Sequence, residues 1–253
     1  MKCKRRTSQR FKGQALSNIQ KLNNVQHARV RIKQTPCISD EIMFSPVYTS
    51  EMRALQSNFP LMFYKNPEEN TFQPIALFGF EQGENLFIDD AQWHSLYIPM
   101  LVQRGPLMIA VDGQTDTGEP ARVVAIDMDH PNISETEGEP LFLEFGGNTE
   151  YLDRLATMLE GIHVGHTTTP PFAKALAQHG LITPITLKIT LRNGQDHALE
   201  GFYAVDDEKL QVLNEEAMTD LHRSGHLLPA YMMVASQSQL KRLIDLKNQK
   251  VMG

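Results

Sequence analysis

The feature that most constrains the fold is the stretch of residues 59–110, where apolar residues are densest and turn residues recur regularly. Residues 60–64 form a short apolar run that ends at the turn signal Asn66-Pro67, and residues 74–80 form a second run after a polar loop. Short apolar runs bounded by turn signals are typical of buried strands. The stretch therefore predicts a hairpin of two buried strands at the centre of the fold.

A helix is predicted after this hairpin, opening at Ala91 behind a capping residue, Asp89 or Asp90. Pro99 would break or kink it. Its apolar residues recur at spacings of three and four, which predicts one shared face, made of Trp93, Leu96, Tyr97, Met100 and Leu101. We interpret this face as part of the core, with the wall of a pocket as the alternative for its aromatic residues.

The remaining chain mixes strands and helices without a regular βαβ alternation. Residues 28–32 predict an edge strand, and residues 182–191 and 198–205 predict a hairpin around Asn193-Gly194. Further strands are predicted at 107–111, 121–126 and 227–235, and helices at 50–58, 148–162, 172–179, 207–213, 215–224 and 237–247. This order predicts an α+β fold with a mainly antiparallel sheet and flanking helices in a single compact domain.

The charge of the chain is unevenly distributed. The net charge is −6, yet the first twelve residues supply +6, which leaves −12 for the rest. An acidic body argues against nucleic acid as the main partner, because duplex binding depends on clustered Lys and Arg. Residues 1–14 are interpreted as a basic disordered tail before a folded region, residues 15–253.

Two further features concern the compartment. The basic start lacks the apolar region of a signal peptide, and residues with the length and hydropathy of a membrane span are not found in the sequence. Cys3 and Cys37 have no second metal-ligand residue at a zinc-site spacing. We therefore expect a cytoplasmic protein that spans no membrane.

Three groups of histidine and aspartate residues are candidates for a metal site or an acid/base site. Asp127 and Asp129, before His130, would share one face of a strand, as a hard metal or an acid/base pair requires, although a turn is the simpler interpretation. His163 and His166 are three apart, but Gly165 is expected to interrupt their helix. His222 and His226 are separated by Gly225, a predicted helix stop.

Motifs of the common enzyme classes are missing from the sequence: it has no Gly-x-Ser-x-Gly, no phosphate-binding glycine loop and no dinucleotide fingerprint. We therefore expect no cofactor and no bound metal.

Several motifs in the central stretch and beyond it resemble the signature of the bacterial SapC family. The residues that carry the resemblance are Phe59-Pro60, Pro74-Ile-Ala-Leu77, Gly83-Glu-Asn-Leu-Phe87, Trp93, Tyr97-Ile-Pro99, Arg104-Gly-Pro106, Asp127, Gly138-Glu-Pro-Leu-Phe142, Gly147, Asn193-Gly194, Leu199-Glu-Gly-Phe-Tyr203 and Gly225-His-Leu227. The chain departs from the family pattern at Gly105 and Leu107, where aromatic residues are more common. The resemblance runs from near Asn23 to the C-terminal helix, so residues 15–253 are expected to form a SapC-like domain.

The resemblance implies a non-catalytic accessory or binding protein, linked by the family name to surface layers or to outer-membrane uptake systems. Its partner would be an unknown protein or a small molecule. The alternative is an enzyme acting on a small molecule or peptide in a pocket near Trp93, Tyr97 and Arg104. The candidate pocket residues are Asn85, Asp89, Trp93, Tyr97, Arg104 and Asp127.

Overall fold

The structure is a computed structural model that describes residues 18–35, 42–90 and 92–252. About 34% of the chain is helix and 29% is strand, so neither class dominates. All strand pairs in the described ranges are antiparallel. The predicted α+β fold with a mainly antiparallel sheet is confirmed. The basic tail predicted for residues 1–14 lies outside the described residues.

The strands are, in chain order, β1 (Ile19–Lys21), β2 (Arg31–Ile32), β3 (Phe44–Pro46), β4 (Leu61–Asn66), β5 (Thr71–Leu77), β6 (Ile88–Asp89), β7 (Gln92–Trp93), β8 (Leu107–Gln114), β9 (Pro120–Asp127), β10 (Ile133–Ser134), β11 (Glu139–Pro140), β12 (Ile182–Thr190) and β13 (Asp196–Val205). The helices are α1 (Met52–Leu55), α2 (Met100–Gln103), α3 (Glu150–Gln178), α4 (Asp207–Gln211), α5 (Glu215–Arg223), α6 (Leu227–Ser236) and α7 (Gln239–Met252). The 3₁₀ turn Thr49–Glu51 leads into α1.

The largest sheet has five strands in the order β12-β13-β4-β5-β3. Both predicted hairpins lie in it: β4 pairs with β5, with Phe63 opposite Pro74, and β12 pairs with β13. Gly194 closes the second hairpin with a φ of 83°, a left-handed conformation that glycine adopts without strain. The apolar run that dominates the sequence is therefore the centre of this sheet.

Two smaller three-stranded sheets have the orders β1-β9-β8 and β10-β2-β11. The predicted edge strand at residues 28–32 is wrong in two respects, because only Arg31–Ile32 is extended and it lies between two neighbours. Residues before it form a turn in which the Asn23 side chain accepts hydrogen bonds from the backbone N–H groups of Val25 and Gln26. An asparagine that bonds the backbone ahead of it favours a turn over a strand.

The long helix α3 connects two hydrophobic clusters. Its first half contributes Leu155 and Leu159 to a cluster over β8 and β9, and its second half contributes Phe172 and Leu176 to the cluster over the five-stranded sheet. The sequence predicted two helices here, which is wrong because the helix continues through Gly165 and two prolines. The helix buries apolar residues in one cluster before the prolines and in the other cluster after them. This burial stabilises the continuous helix, although the prolines lack the N–H groups for two of its hydrogen bonds.

Two other predicted elements differ in the structure. Residues 227–235 form helix α6, and the predicted strand is wrong. An apolar run that is buried on most sides lacks the periodicity that distinguishes a helix from a strand. The predicted helix from Ala91 is wrong: Trp93 belongs to the short hairpin β6–β7, and helix begins only after Pro99. Leu96, expected in the core, is fully exposed. Ala91 itself lies outside the described residues.

None of the helices in the described ranges has both the length and the hydropathy needed to cross a membrane.

Candidate functional site

Trp93 lies in an aromatic corner beside the five-stranded sheet. Its ring centroid is 5.4 Å from that of Phe78 and 6.2 Å from that of Phe87, which it stacks against. The indole Nε1–H donates to the backbone oxygen of Tyr97 at 3.0 Å. The indole is half-buried, and its polar atom is used to hold the segment that follows β7. This contact brings Trp93 and Tyr97 together without a helix.

Tyr97 is hydrogen-bonded to the carboxyl group of Glu51. Glu51 is not among the candidate residues predicted from the sequence. The Tyr97 hydroxyl donates to Glu51 Oε2 at 3.1 Å, and the backbone N–H of Met100 donates to the same oxygen at 3.0 Å. Glu51 Oε1 accepts from the backbone N–H of Tyr48 at 3.1 Å. Glu51 is only 4% exposed, so three donors converge on a buried carboxyl. We call Glu51, Tyr48, Tyr97 and the Met100 N–H the carboxyl cluster.

Burial controls the protonation of this cluster. It raises the pKa of Glu51, and the hydrogen bonds from Met100, Tyr48 and Tyr97 oppose that rise. Burial and the Glu51 carboxylate raise the pKa of Tyr48 to about 12, and the same two causes raise the pKa of Tyr97. Both phenols therefore stay protonated at neutral pH.

The Tyr48 side chain crosses to the middle of α3. Its hydroxyl is 3.0 Å from His166 Nε2, and the two rings meet edge to face at 5.2 Å. A Cβ at Gly165 would overlap the Tyr48 ring, so glycine is required for this close approach. Thr169 completes the contact, because its Oγ1 accepts from the backbone N–H of Thr49 at 3.2 Å. His166 is exposed and lies at the solvent side of the tyrosine.

Arg104 lies on the other side of Tyr48, at the end of α2. Its Nη1 donates to the backbone oxygen of Leu107 at 3.1 Å. The Tyr48 phenol interacts electrostatically with the guanidinium, and burial lowers the arginine's pKa. Burial lowers the pKa of His130, the Asp127 carboxylate opposes that fall, and the Arg104 charge adds to it. Burial also lowers the pKa of His166, and His163 and Arg104 add to that effect.

The turn after β9 brings His130 to the same region. The backbone N–H of Asp127 donates to the oxygen of Pro106 at 3.0 Å, and the N–H of His130 donates to the oxygen of Asp127 at 3.2 Å. The Asp127 carboxylate accepts from the backbone N–H of Asp129 at 3.1 Å and closes this turn.

The candidate pocket residues thus lie in more than one place. Tyr97 belongs to the carboxyl cluster, and Trp93 is bonded to its backbone. Asp127 lies elsewhere, at the backbone contact with Pro106, two residues after Arg104. Asn85 is buried before β6 and its Oδ1 accepts from the backbone N–H of Phe87 at 3.0 Å. Asp89 is exposed on β6, and its backbone oxygen is 3.3 Å from His94 Nε2.

Of the two histidine pairs, one differs from the sequence prediction and one agrees with it. Helix α3 continues through His163 and His166, so the expected interruption at Gly165 is wrong. His222 lies in the last turn of α5 and His226 precedes α6, as the predicted stop at Gly225 requires. Over the described ranges, His, Cys, Asp and Glu residues do not gather in groups of three that could hold a metal ion. Cys3 and Cys37 lie outside those ranges.

The chain matches a known protein family over most of its length. The family model described as SapC matches residues 22–243 of the chain. No curated protein and no solved structure matches it.

Proposed function

Because the chain belongs to the SapC family, we propose that it is a non-catalytic accessory protein that binds a protein or a small molecule. The observation that carries this proposal is the bonding within the carboxyl cluster. The Tyr97 hydroxyl, in the expected pocket, donates to Glu51, and the Glu51 carboxyl also accepts from the backbone N–H groups of Tyr48 and Met100. A general acid or base must instead reach a proton on the substrate.

The aromatic corner supports the same function. Trp93 packs against three phenylalanine rings, at 5.4 to 6.2 Å between centroids, and its indole N–H is bonded to the chain. Aromatic side chains held in this way stabilise a fold and have little freedom to stack on a substrate.

The proposal includes a role with surface-layer or outer-membrane uptake systems and a cytoplasmic location. The family name supports the role, and the sequence supports the location. Nucleic acid is not proposed as the main partner, given the charge of the chain outside its first residues. Purification of a tagged chain from its own cells, after fractionation, tests both points. Recovery of a stoichiometric surface-layer or uptake protein supports the role, and recovery of the chain outside the cytoplasmic fraction contradicts the location.

The alternative, an enzyme acting near Trp93, Tyr97 and Arg104, is tested with a metabolite and peptide extract. The purified chain and Tyr97→Phe, which removes only one hydroxyl, are incubated with the extract and followed by mass spectrometry. A binding protein retains at most about one equivalent of any compound and converts none, because it has no turnover. Conversion of many equivalents by the unchanged chain and not by Tyr97→Phe would overturn the accessory function.

A further inference from the structure

A cavity of about 290 Å³ lies between helix α3 and the strand pair β8–β9. Its apolar lining comes from both sides, with Ile109 and Val124 on the strands and Ala156 and Leu159 on the helix. Ile109 and Val124 are directly opposite each other in the strand register, so their side chains lie on the same face of the sheet. The volume is close to the lower end for ligand pockets, about 300 Å³, and so suits a small organic molecule.

Two residues of opposite charge line the mouth of this cavity, Arg122 on β9 and Glu160 on α3. Arg122 Nη1 is 3.5 Å from Glu160 Oε2, and the two side chains are 45% and 54% exposed. In the part of the chain that the structure describes, neither side chain makes a further ion pair or a hydrogen bond. The guanidinium therefore keeps donors, and the carboxylate keeps acceptor positions, for a molecule in the cavity.

The paired charges select the kind of molecule that the cavity can hold. A ligand with a carboxylate alone would be attracted by Arg122 but repelled by Glu160, because the two groups are only 3.5 Å apart. A ligand with an ammonium alone would be attracted by Glu160 and repelled by Arg122. A zwitterion meets an opposite charge at each of its charged groups, so the pair favours it over both.

The short distance within the pair also limits how far apart the charges of the zwitterion can be. An α-amino acid carries its ammonium and its carboxylate on the same carbon, so its charges match a pair of groups 3.5 Å apart. In a dipeptide the two charges belong to different residues, whose Cα atoms are about 3.8 Å apart, and the charges are farther from each other. The spacing therefore favours a free amino acid over a peptide.

We propose that this cavity binds a free α-amino acid with an apolar side chain, with the carboxylate on Arg122, the ammonium on Glu160 and the side chain against the apolar lining. Removal of the side chain from water supplies most of the affinity, and the half-exposed charges supply orientation and selectivity. The described residues that line the cavity include none of the pocket candidates predicted from the sequence. The site therefore goes beyond the proposed function.

The test is calorimetric titration of the full chain with leucine and with three probes that each lack one part of it. Isocaproate lacks the ammonium, isopentylamine lacks the carboxylate, and glycine lacks the apolar side chain. Leucine is expected to bind at one saturable site with a dissociation constant of about 1 mM or below, which is within the limit for so small a ligand. Each of the probes should bind about tenfold more weakly or not at all.

Variants assign the binding to this cavity. Ala156→Leu fills the cavity from α3, keeps a residue that favours helix and should abolish saturable binding. Arg122→Gln and Glu160→Gln should each weaken leucine binding by about fivefold, less than a buried charge would, because both groups are half exposed. Arg192→Gln is the matched control, since it removes an ion pair of 3.8 Å with Asp245 outside the cavity, and it should bind leucine as the unchanged chain does.

Melting curves show whether each variant folds, and if Ala156→Leu does not fold, the two charge variants decide. The proposal is overturned if leucine shows no saturable binding or if any of the three probes binds as tightly as leucine. It is also overturned if Arg122→Gln or Glu160→Gln binds leucine as tightly as Arg192→Gln does. Failure of leucine to bind leaves the accessory function standing. Chemical conversion of many equivalents of a compound by the chain would overturn that function and leave the amino acid site in place.

Discussion

At the scale of single residues, Glu51 has the most unusual environment, because a buried carboxyl accepts three hydrogen bonds at a junction of the 3₁₀ turn and α2. Burial raises its pKa and the three donors act against that rise. A carboxyl whose folded pKa is raised binds its proton more tightly in the folded state. Its contribution to stability is complete below the ordinary glutamate pKa of about 4.3 and is lost as the pH rises through the folded pKa.

The loss of this stabilising contribution with rising pH gives a prediction for Glu51→Gln, whose side chain does not titrate. The free energy of unfolding of the unchanged chain, measured relative to the variant, should fall as the pH rises above about 4.3, by about 1.4 kcal/mol for each unit of raised pKa. Denaturant unfolding of both proteins between acidic and neutral pH measures this difference. A difference that increases with pH would show that the three donors keep the carboxyl ionised.

A second prediction concerns Trp93. Trp93→Ala should lower the free energy of unfolding by about 3 kcal/mol, the lower end for loss of a large aromatic, because the ring is half-buried. Trp93→Phe keeps an aromatic ring but loses the hydrogen bond to Tyr97 and part of the packing of the indole, which should cost less, about 2 kcal/mol. Calorimetric melting compares the two. An unchanged melting temperature for Trp93→Ala, together with lost ligand binding, would make Trp93 a pocket residue.

The sequence could predict some of these residues and not others. Spacing and aromatic character led to the choice of Trp93 and Tyr97 as candidates, and the resemblance to the SapC family includes Arg104. Glu51 carries no such signal, since an acidic residue after Thr49-Ser50 is typical of an exposed helix start. Its burial depends on Tyr97 and Met100, which are more than forty positions away in the chain. Contacts of that separation cannot be found from local periodicity.

At the scale of elements, helix α3 determines the position of the Tyr48 side chain. Gly165 is buried at its centre and lets Tyr48 approach the helix backbone. From the sequence, Gly165 is expected to interrupt the helix, because glycine is less favourable in a helix than alanine by about 1 kcal/mol. In the structure, the absence of a side chain at Gly165 makes room for the Tyr48 ring against α3. The prolines at 170 and 171 were a better reason to expect a break, and the two clusters on either side override it.

The third prediction compares two glycines of α3. Gly165→Ala should destabilise the protein by more than about 1 kcal/mol, because the new methyl overlaps the Tyr48 ring and this cost exceeds the gain in helix propensity. Gly161→Ala meets only the flexible Met100 side chain, with Sδ 3.4 Å away, and should be neutral or stabilising by up to about 1 kcal/mol. Thermal melting of both variants measures the contrast. Equal stability of the two variants would contradict the close contact of Tyr48 with α3.

Elements were predicted best where their periodicity is unambiguous. The hairpins β4–β5 and β12–β13 combine short apolar or alternating runs with turn residues, and both are present. The segment that became α6 is apolar throughout, so its sequence fits a strand as well as a buried helix. Spacings of three and four at residues 93–101 arise by coincidence in a segment whose conformation is set by the aromatic corner and Pro99.

At the scale of the whole molecule, the long helix and the C-terminal helix hold separate parts of the chain together. Helix α3 spans both hydrophobic clusters. Lys247 on α7 is 8% exposed in its side chain and bonds Glu84 at 2.6 Å and Glu81 at 2.9 Å, in the loop after β5. The pKa of Lys247 is raised because these hydrogen bonds and charges outweigh burial. Removal of one partner from such a buried group is costly, so this ion pair fixes the C-terminal helix to the aromatic corner.

The last prediction concerns the beginning of the chain. Removal of residues 1–13 should leave the melting temperature unchanged, because this segment has almost no apolar surface apart from Phe11 and the SapC match starts at residue 22. Removal of residues 1–21 is the matched control, since it also deletes β1, whose Ile19 and Lys21 pair with Asp127 and Ala125. That deletion should cost about 2 kcal/mol or more, as each hydrogen bond lost contributes about 1 kcal/mol. Melting followed by circular dichroism measures both proteins. A large loss of stability on removal of residues 1–13 alone would show that the basic segment binds the acidic remainder of the chain, and the expected disordered tail would be wrong.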